Sequence, residues 1–372
     1  MRFISMFSVL LLLSFMSCDE DMPVDMMDTE LPETWISTVS SQVDNSYQND
    51  MDIDEEMNYL VATEDGIGRF GVSGEEASFD PNIMRVDNDR IARSYVYKNK
   101  IYRFYSYRIN RGSDNPMILL EIIDRDGQIL ETAELPKRQF VQDVHFYSDR
   151  EMAILTFNPS RRGVELMRYS IDQGLMADIE VSRNQSDAPS RLYVSPAGTL
   201  YPYWSGVFDD FDNFYRVNSD FNLELSTQLP EAIYGLSALN EDELFAVTTR
   251  QRGAEVAVVK LNRQGDVLSE NSWLLDDEEF RPFSIVHSDN LVFSQEWLVE
   301  QSDRLRIRAF DHNLREKRTT MVDGFKGFSH LVLNEVGGVS FFHGARSSDD
   351  SFNPRVVKMG PDCLLPATLY DN

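Results

Sequence analysis

The chain has 372 residues, 62 acidic against 35 basic side chains, and a formal net charge of −27. So large an acidic excess excludes nucleic-acid or anionic-membrane binding through net charge, and it favours cations or basic partners. Hydrophobic residues make up 42% and aromatics 11%, enough for a large core and better suited to strands than to helices.

The first residues read as a targeting segment. Met1-Arg2 gives a positive start, Phe3–Met16 is an apolar run too short to span a bilayer, and it ends in Ser17-Cys18. Residues 1–17 resemble a bacterial lipoprotein signal peptide, which implies that Cys18 becomes the lipidated, palmitate-type N-terminus; the alternative is an ordinary secretory peptide with a chance cysteine. More than one acyl chain suffices for stable anchoring. With Cys18 lipidated, Cys363 is left alone and no internal disulfide is expected.

Residues 18–56 read as an acidic flexible tether, because Asp19–Glu56 holds thirteen Asp or Glu and no Lys, Arg or His. Asp19-Glu20-Asp21 resembles the signal that sends Bacteroidota lipoproteins to the outer face of the outer membrane, with the periplasmic side as the alternative. Trp35-Ile36 and Val39 either add a strand to the body or belong to the tether.

The body, residues 57–372, is expected to be strands throughout. Its organising unit is Val256–Trp273: two strands around a turn whose Gly265 supplies the positive φ of a hairpin. Hairpins recur with turns at Gly127, Gly174, Asn222, Gly265, Asn313 and Gly360, spaced by 47, 48, 43, 48 and 47 residues. A strand-built period in the forties is the signature of a β-propeller. The fold expected is therefore all-β: a single propeller of seven four-stranded blades, with six as the alternative. Met57–Phe79 forms a short first blade or merely completes the last one, which is assigned to Phe328–Leu369.

Repeat signatures of the Trp-Asp, kelch, sialidase and quinoprotein types are missing. The layout of lipidated cysteine, acidic tether and degenerate propeller resembles the β-propeller lipoproteins of Bacteroidota. That resemblance implies a fold and a place at the outer membrane, and no site residues.

Propeller ligands sit in the longer loops. Arg111, Arg138, Arg161, Arg162, Arg250, Arg252 and Arg346 fall in them, a candidate sector for gripping an anionic ligand or partner through guanidinium forks; pairing with acids of neighbouring loops is the bland reading. Asp209, Asp210 and Asp212 offer several oxygens in one loop, a weak match to a Ca²⁺ site against a solvated acidic loop. No other cofactor is expected. His145, His287 and His330 lie in first strands and could converge on the central channel, although separate, locally bonded histidines are commoner. No catalytic residue is assigned. The expectation is a binding or scaffold module at the outer membrane, with another envelope protein as partner and no nucleic acid; the alternative is a carbohydrate-active hydrolase or lyase.

Overall fold

The computed structural model describes residues 34–39, 50–63, 66–80, 90–107, 118–135, 140–158, 163–182, 190–203, 212–229, 232–250, 255–274, 280–298, 304–323, 325–346 and 352–363. All regular structure among them is β. After β1 (Trp35–Thr38), the first blade comprises β2 (Asp50–Ile53), β3 (Tyr59–Ala62), β4 (Ile67–Phe70) and β5 (Ala77–Asp80). The second is β6 (Arg90–Tyr97), β7 (Lys100–Tyr107), β8 (Ile118–Asp124) and β9 (Ile129–Leu135); the third is β10 (Phe140–Phe146), β11 (Glu151–Asn158), β12 (Gly163–Ser170) and β13 (Gly174–Ser182). The fourth is β14 (Arg191–Val194), β15 (Leu200–Tyr203), β16 (Asp212–Val217) and β17 (Leu223–Leu229); the fifth is β18 (Ala232–Ala238), β19 (Glu243–Arg250), β20 (Glu255–Asn262) and β21 (Val267–Leu274). The sixth is β22 (Phe280–His287), β23 (Leu291–Leu298), β24 (Arg304–Asp311) and β25 (Glu316–Asp323). The seventh holds β26 (Phe325–Phe328), β27 (Val332–Leu333), β28 (Val339–Arg346) and β29 (Phe352–Met359), with β1 on its outer edge. Neighbouring strands within each blade are antiparallel.

Two expectations need correction. The tether was bounded at residue 56, yet β1 and β2 belong to blades. In β2, Met51 and Ile53 face the core while Asp50 and Asp52 turn to the next blade, where the Val96 N–H donates to Asp50 at 2.7 Å and the Lys98 N–H to Asp52 at 3.2 Å. A period-two strand was hidden by its acidic composition. The last blade was to run on to Leu369; instead β1 pairs with β29, Trp35 opposite Lys358 and Thr38 opposite Arg355. Residues 364–372 lie outside the described residues. The ring thus has seven blades, and a strand from near its start closes the last of them.

The hairpins expected at Gly127, Gly174, Asn222, Gly265 and Asn313 are present, and four of their turns share a device. At Asp124, Asn218, Asn262 and Asp311 a side-chain oxygen accepts the backbone N–H groups two and four residues on. The residue three on adopts positive φ: Gly127 at 85°, Phe221 at 63°, Gly265 at 89° and Leu314 at 61°. Glycine takes that conformation freely, whereas Phe221 and Leu314 are strained there and buried in the core.

The core is divided among the seams. Seven apolar clusters each join two adjacent blades, from Leu60, Ala62, Ile67, Val96, Ile101 and Ile123 between blades one and two round to Trp35, Met51, Tyr59, Val61, Phe70, Phe342 and Val356 between seven and one. No blade covers its own faces, so burial of apolar area, the main folding force, requires ring closure. Cys363 follows β29 in a turn, fully buried; burial pushes its thiol up to about 12, which leaves it an inert packing residue.

Candidate functional site: the central channel

Inner strands carry a ring of bonds from blade to blade. Besides the Asp50 contact, the Leu192 N–H donates to Asp143 at 2.8 Å, the Ala238 N–H to Tyr193 Oη at 2.7 Å, and the Leu331 N–H to Ser284 Oγ at 3.3 Å. Ser237 Oγ bonds His287 Nδ1 at 2.7 Å, Tyr95 donates to the Gln142 carbonyl at 3.4 Å, and Tyr59 meets Ser340 at 3.1 Å across the closing seam. These contacts fix the side chains that face the axis.

On the axis lies a cavity of about 590 Å³ walled by residues from all seven blades. Its polar wall holds Arg93, Asp143 and Arg191; its aromatic wall holds Tyr203, Phe283 and His330. Phe283 and His330 stack at 4.4 Å and 15°, and the Arg191 guanidinium lies over Phe283 at 6.0 Å. Arg93 donates to the Gln142 carbonyl. Arg191 makes no hydrogen bond or ion pair to any described residue; it lies over the Phe283 ring, and its charge acts on Asp143 and His330.

The acids of the channel are engaged. Asp143 accepts the Val144 N–H at 3.0 Å on one oxygen and the Leu192 N–H on the other. Burial raises its pKa, opposed by Arg191. Asp50 is raised to about 7, first by burial and also by Asp52 and Asp143. Burial lowers His145 to about 4 and drives His330 well down, with Arg191 adding to the latter. Both histidines are therefore neutral at pH 7, and Tyr95 and Tyr203, raised by burial, keep their phenolic protons. Two guanidinium groups, Arg93 and Arg191, and two carboxyls, Asp50 and Asp143, share the wall of the cavity.

The histidine expectation holds in two parts of three. His145 and His330 reach the channel, but His287 turns into the seam between blades five and six, 6.3 Å from His312. Among the candidate basic residues, Arg250 ends β19 and pairs with Glu270 at 2.6 Å, an exposed pair that lowers the carboxyl's pKa. Arg346 ends β28 and Asp212 opens β16. Cys18, Arg111, Arg138, Arg161, Arg162, Arg252, Asp209 and Asp210 lie outside the described residues. Among the described residues no group of acids, histidines or cysteines is arranged to hold a metal ion. The buried cluster of Glu296 with Arg306 at 2.9 Å and Arg308 at 3.1 Å sits inside blade six, away from the channel.

Sequence reasoning missed Arg93, Asp143 and Arg191. The signal available was a charge inside an inner strand with an apolar residue on one side: Ala92, Val144 and Leu192.

No family model and no curated protein matches the sequence. Solved structures do match in shape. A chain of the mitotic checkpoint complex superposes with a TM-score of 0.56 at 11% identity, covering 96% of this chain and 100% of that one. BBS1N, solved in complex with ARL6DN, gives 0.55 at 13%, covering 91% and 97%. The Pan2 WD40 domain of Neurospora crassa gives 0.51 at 11%, covering 87% and 95%. Likeness at such identity speaks for architecture alone, and the architecture is a seven-bladed β-propeller.

Proposed function

We propose that this protein is an outer-membrane lipoprotein, anchored through Cys18 on the cell-surface side, whose propeller serves as a binding and scaffold module within an envelope complex. The signal-like run ending at Cys18 and the acidic stretch after it support the anchor. One observation carries binding over turnover: Asp50 and Asp143 accept backbone N–H groups of the next blade, so these channel carboxylates brace the ring. Protein partners fit the scaffold, since two of the similar propellers were solved within complexes. The test is crosslinked capture from native membranes, with labelling by an alkyne-tagged palmitate. The wild type should take up label and recover a stoichiometric envelope protein, and Cys18→Ser should lose the label. Label retained by that variant would remove the anchor, and a chain recovered alone would remove the scaffold.

The enzymatic reading keeps one favourable observation, the pKa of about 7 at Asp50, a value suited to proton transfer. It requires glycoside or polysaccharide turnover that Asp50→Asn abolishes.

A further inference from the structure

We propose that the axial cavity binds a small ring-shaped monocarboxylate, its carboxylate on Arg191 and its ring against Phe283 and His330. The inference rests on the binding-module reading and is independent of the anchor. A volume of about 590 Å³ lies within the range of small-molecule sites, and the wall combines aromatic rings with many polar and charged groups, which suits a polar ligand.

Arg191 identifies the charge of the ligand. Its guanidinium bonds no described residue, although it faces a cavity held in place by the ring of inner-strand bonds. A guanidinium fork matches a carboxylate in two parallel hydrogen bonds. Arg93 stands in the same wall with one nitrogen on the Gln142 carbonyl, adding positive potential. The carboxyls of Asp143 and Asp50 stand in the same wall and offset that potential whenever they are ionised. One uncommitted guanidinium beside two acids therefore suits a singly charged group better than a phosphate.

The aromatic wall identifies the rest of the ligand. The stacked Phe283 and His330 line the cavity beside Arg191, and the neutral imidazole adds no charge. The phenol of Tyr203 supplies a donor for a ring hydroxyl. Sugar acids and aromatic acids share this chemistry of a carboxylate on a six-membered ring.

The test is calorimetric titration of the full chain in detergent with galacturonate and with benzoate. Galactose, benzyl alcohol and inorganic phosphate are the controls. At least one of the two acids should bind, the uncharged counterparts and phosphate should bind more weakly, and Arg191→Gln should weaken the acid roughly tenfold or more. Arg191→Gln removes the cation that opposes the raised pKa of Asp143, so its melting is measured beside its binding; Phe283→Leu, keeping the charge and removing the ring, gives a second reading and should also weaken binding. Saturation by galacturonate would point to sugar acids and by benzoate to aromatic acids. Failure of both acids to bind, equal binding by the neutral rings or phosphate, or undiminished affinity in Arg191→Gln would overturn the proposal. Recovery of an envelope partner would stand in any of these cases, so the two readings fail separately.

Discussion

The seam between blades five and six and the seam between blades one and two solve the same problem with different chemistry. The first packs Tyr234, Phe245, Val247, Val258, Ile285 and Phe310 among its fully or nearly buried residues. Its strands run seven or eight residues. The second has strands of four residues in blade one and a cluster without a single aromatic ring. Beside it lies a cavity of about 390 Å³ lined in part by Arg69, Glu75, Glu76 and Arg125. What holds blade one to blade two is a row of acceptors: Asp50 takes the Val96 N–H, Asp52 the Lys98 N–H, and Asp54 the Asn99 amide at 2.9 Å. An apolar seam is stable at any pH, whereas a seam of buried carboxylates is tied to their protonation.

The largest effect should come from the apolar seam. Phe245→Ala removes a ring with no exposure and should destabilise the protein by about 3–5 kcal/mol, measured by guanidinium unfolding. A loss under about 1 kcal/mol would mean that the ring does not depend on this seam.

The next effect belongs to Asp50 and carries a sign. Its folded pKa of about 7 stands above the 3.8 of an ordinary aspartate, so between these values the folded state holds more protons than the unfolded one. This group therefore lowers stability as pH rises from 4 to 7 and contributes no further slope above that. Asp50→Asn keeps an acceptor for the Val96 N–H and removes the charge. The variant should match the wild type near pH 4 and exceed it at pH 8 by up to a few kcal/mol, read from melting across that range. Parallel pH profiles would remove the claim that this seam is pH-dependent.

The smallest effect is expected at Asp54. Asp54→Ala withdraws the acceptor of the Glu56 and Asn58 N–H groups and of the Asn99 amide, costing about 1–2 kcal/mol. Amide exchange should quicken at Asn58 and Val96 and stay unchanged at Val258 and Val259. Uniform quickening would show that the two seams do not open separately.

The same contrast explains what could be read beforehand. Blade five was legible as VAVVKLNRQGDVLSENSW, since β20 is a nearly continuous apolar run and Gly265 sits at the left-handed turn position. Blade one was legible only in part. Its inner strand, Asp50-Met51-Asp52-Ile53, has the alternation of a strand, but two acids in an acidic stretch resemble solvated chain. The channel was legible only as a meeting place for His145, His287 and His330, of which two reach it, and its cation Arg191 passed unnoticed inside a four-residue strand.

The repeat of hairpins, its period and the propeller that follows were determined by sequence alone, because turn chemistry and side-chain alternation act over a few residues and leave a local trace. Three things were decided by tertiary structure. Trp35–Thr38 lies beside β29, acids at 50 and 143 serve as acceptors for the following blade, and Arg93, Arg191, Phe283 and His330 meet around one cavity. Each of these joins residues tens to hundreds of positions apart, and only closure of the ring, driven by burial of the faces between blades, brings them together.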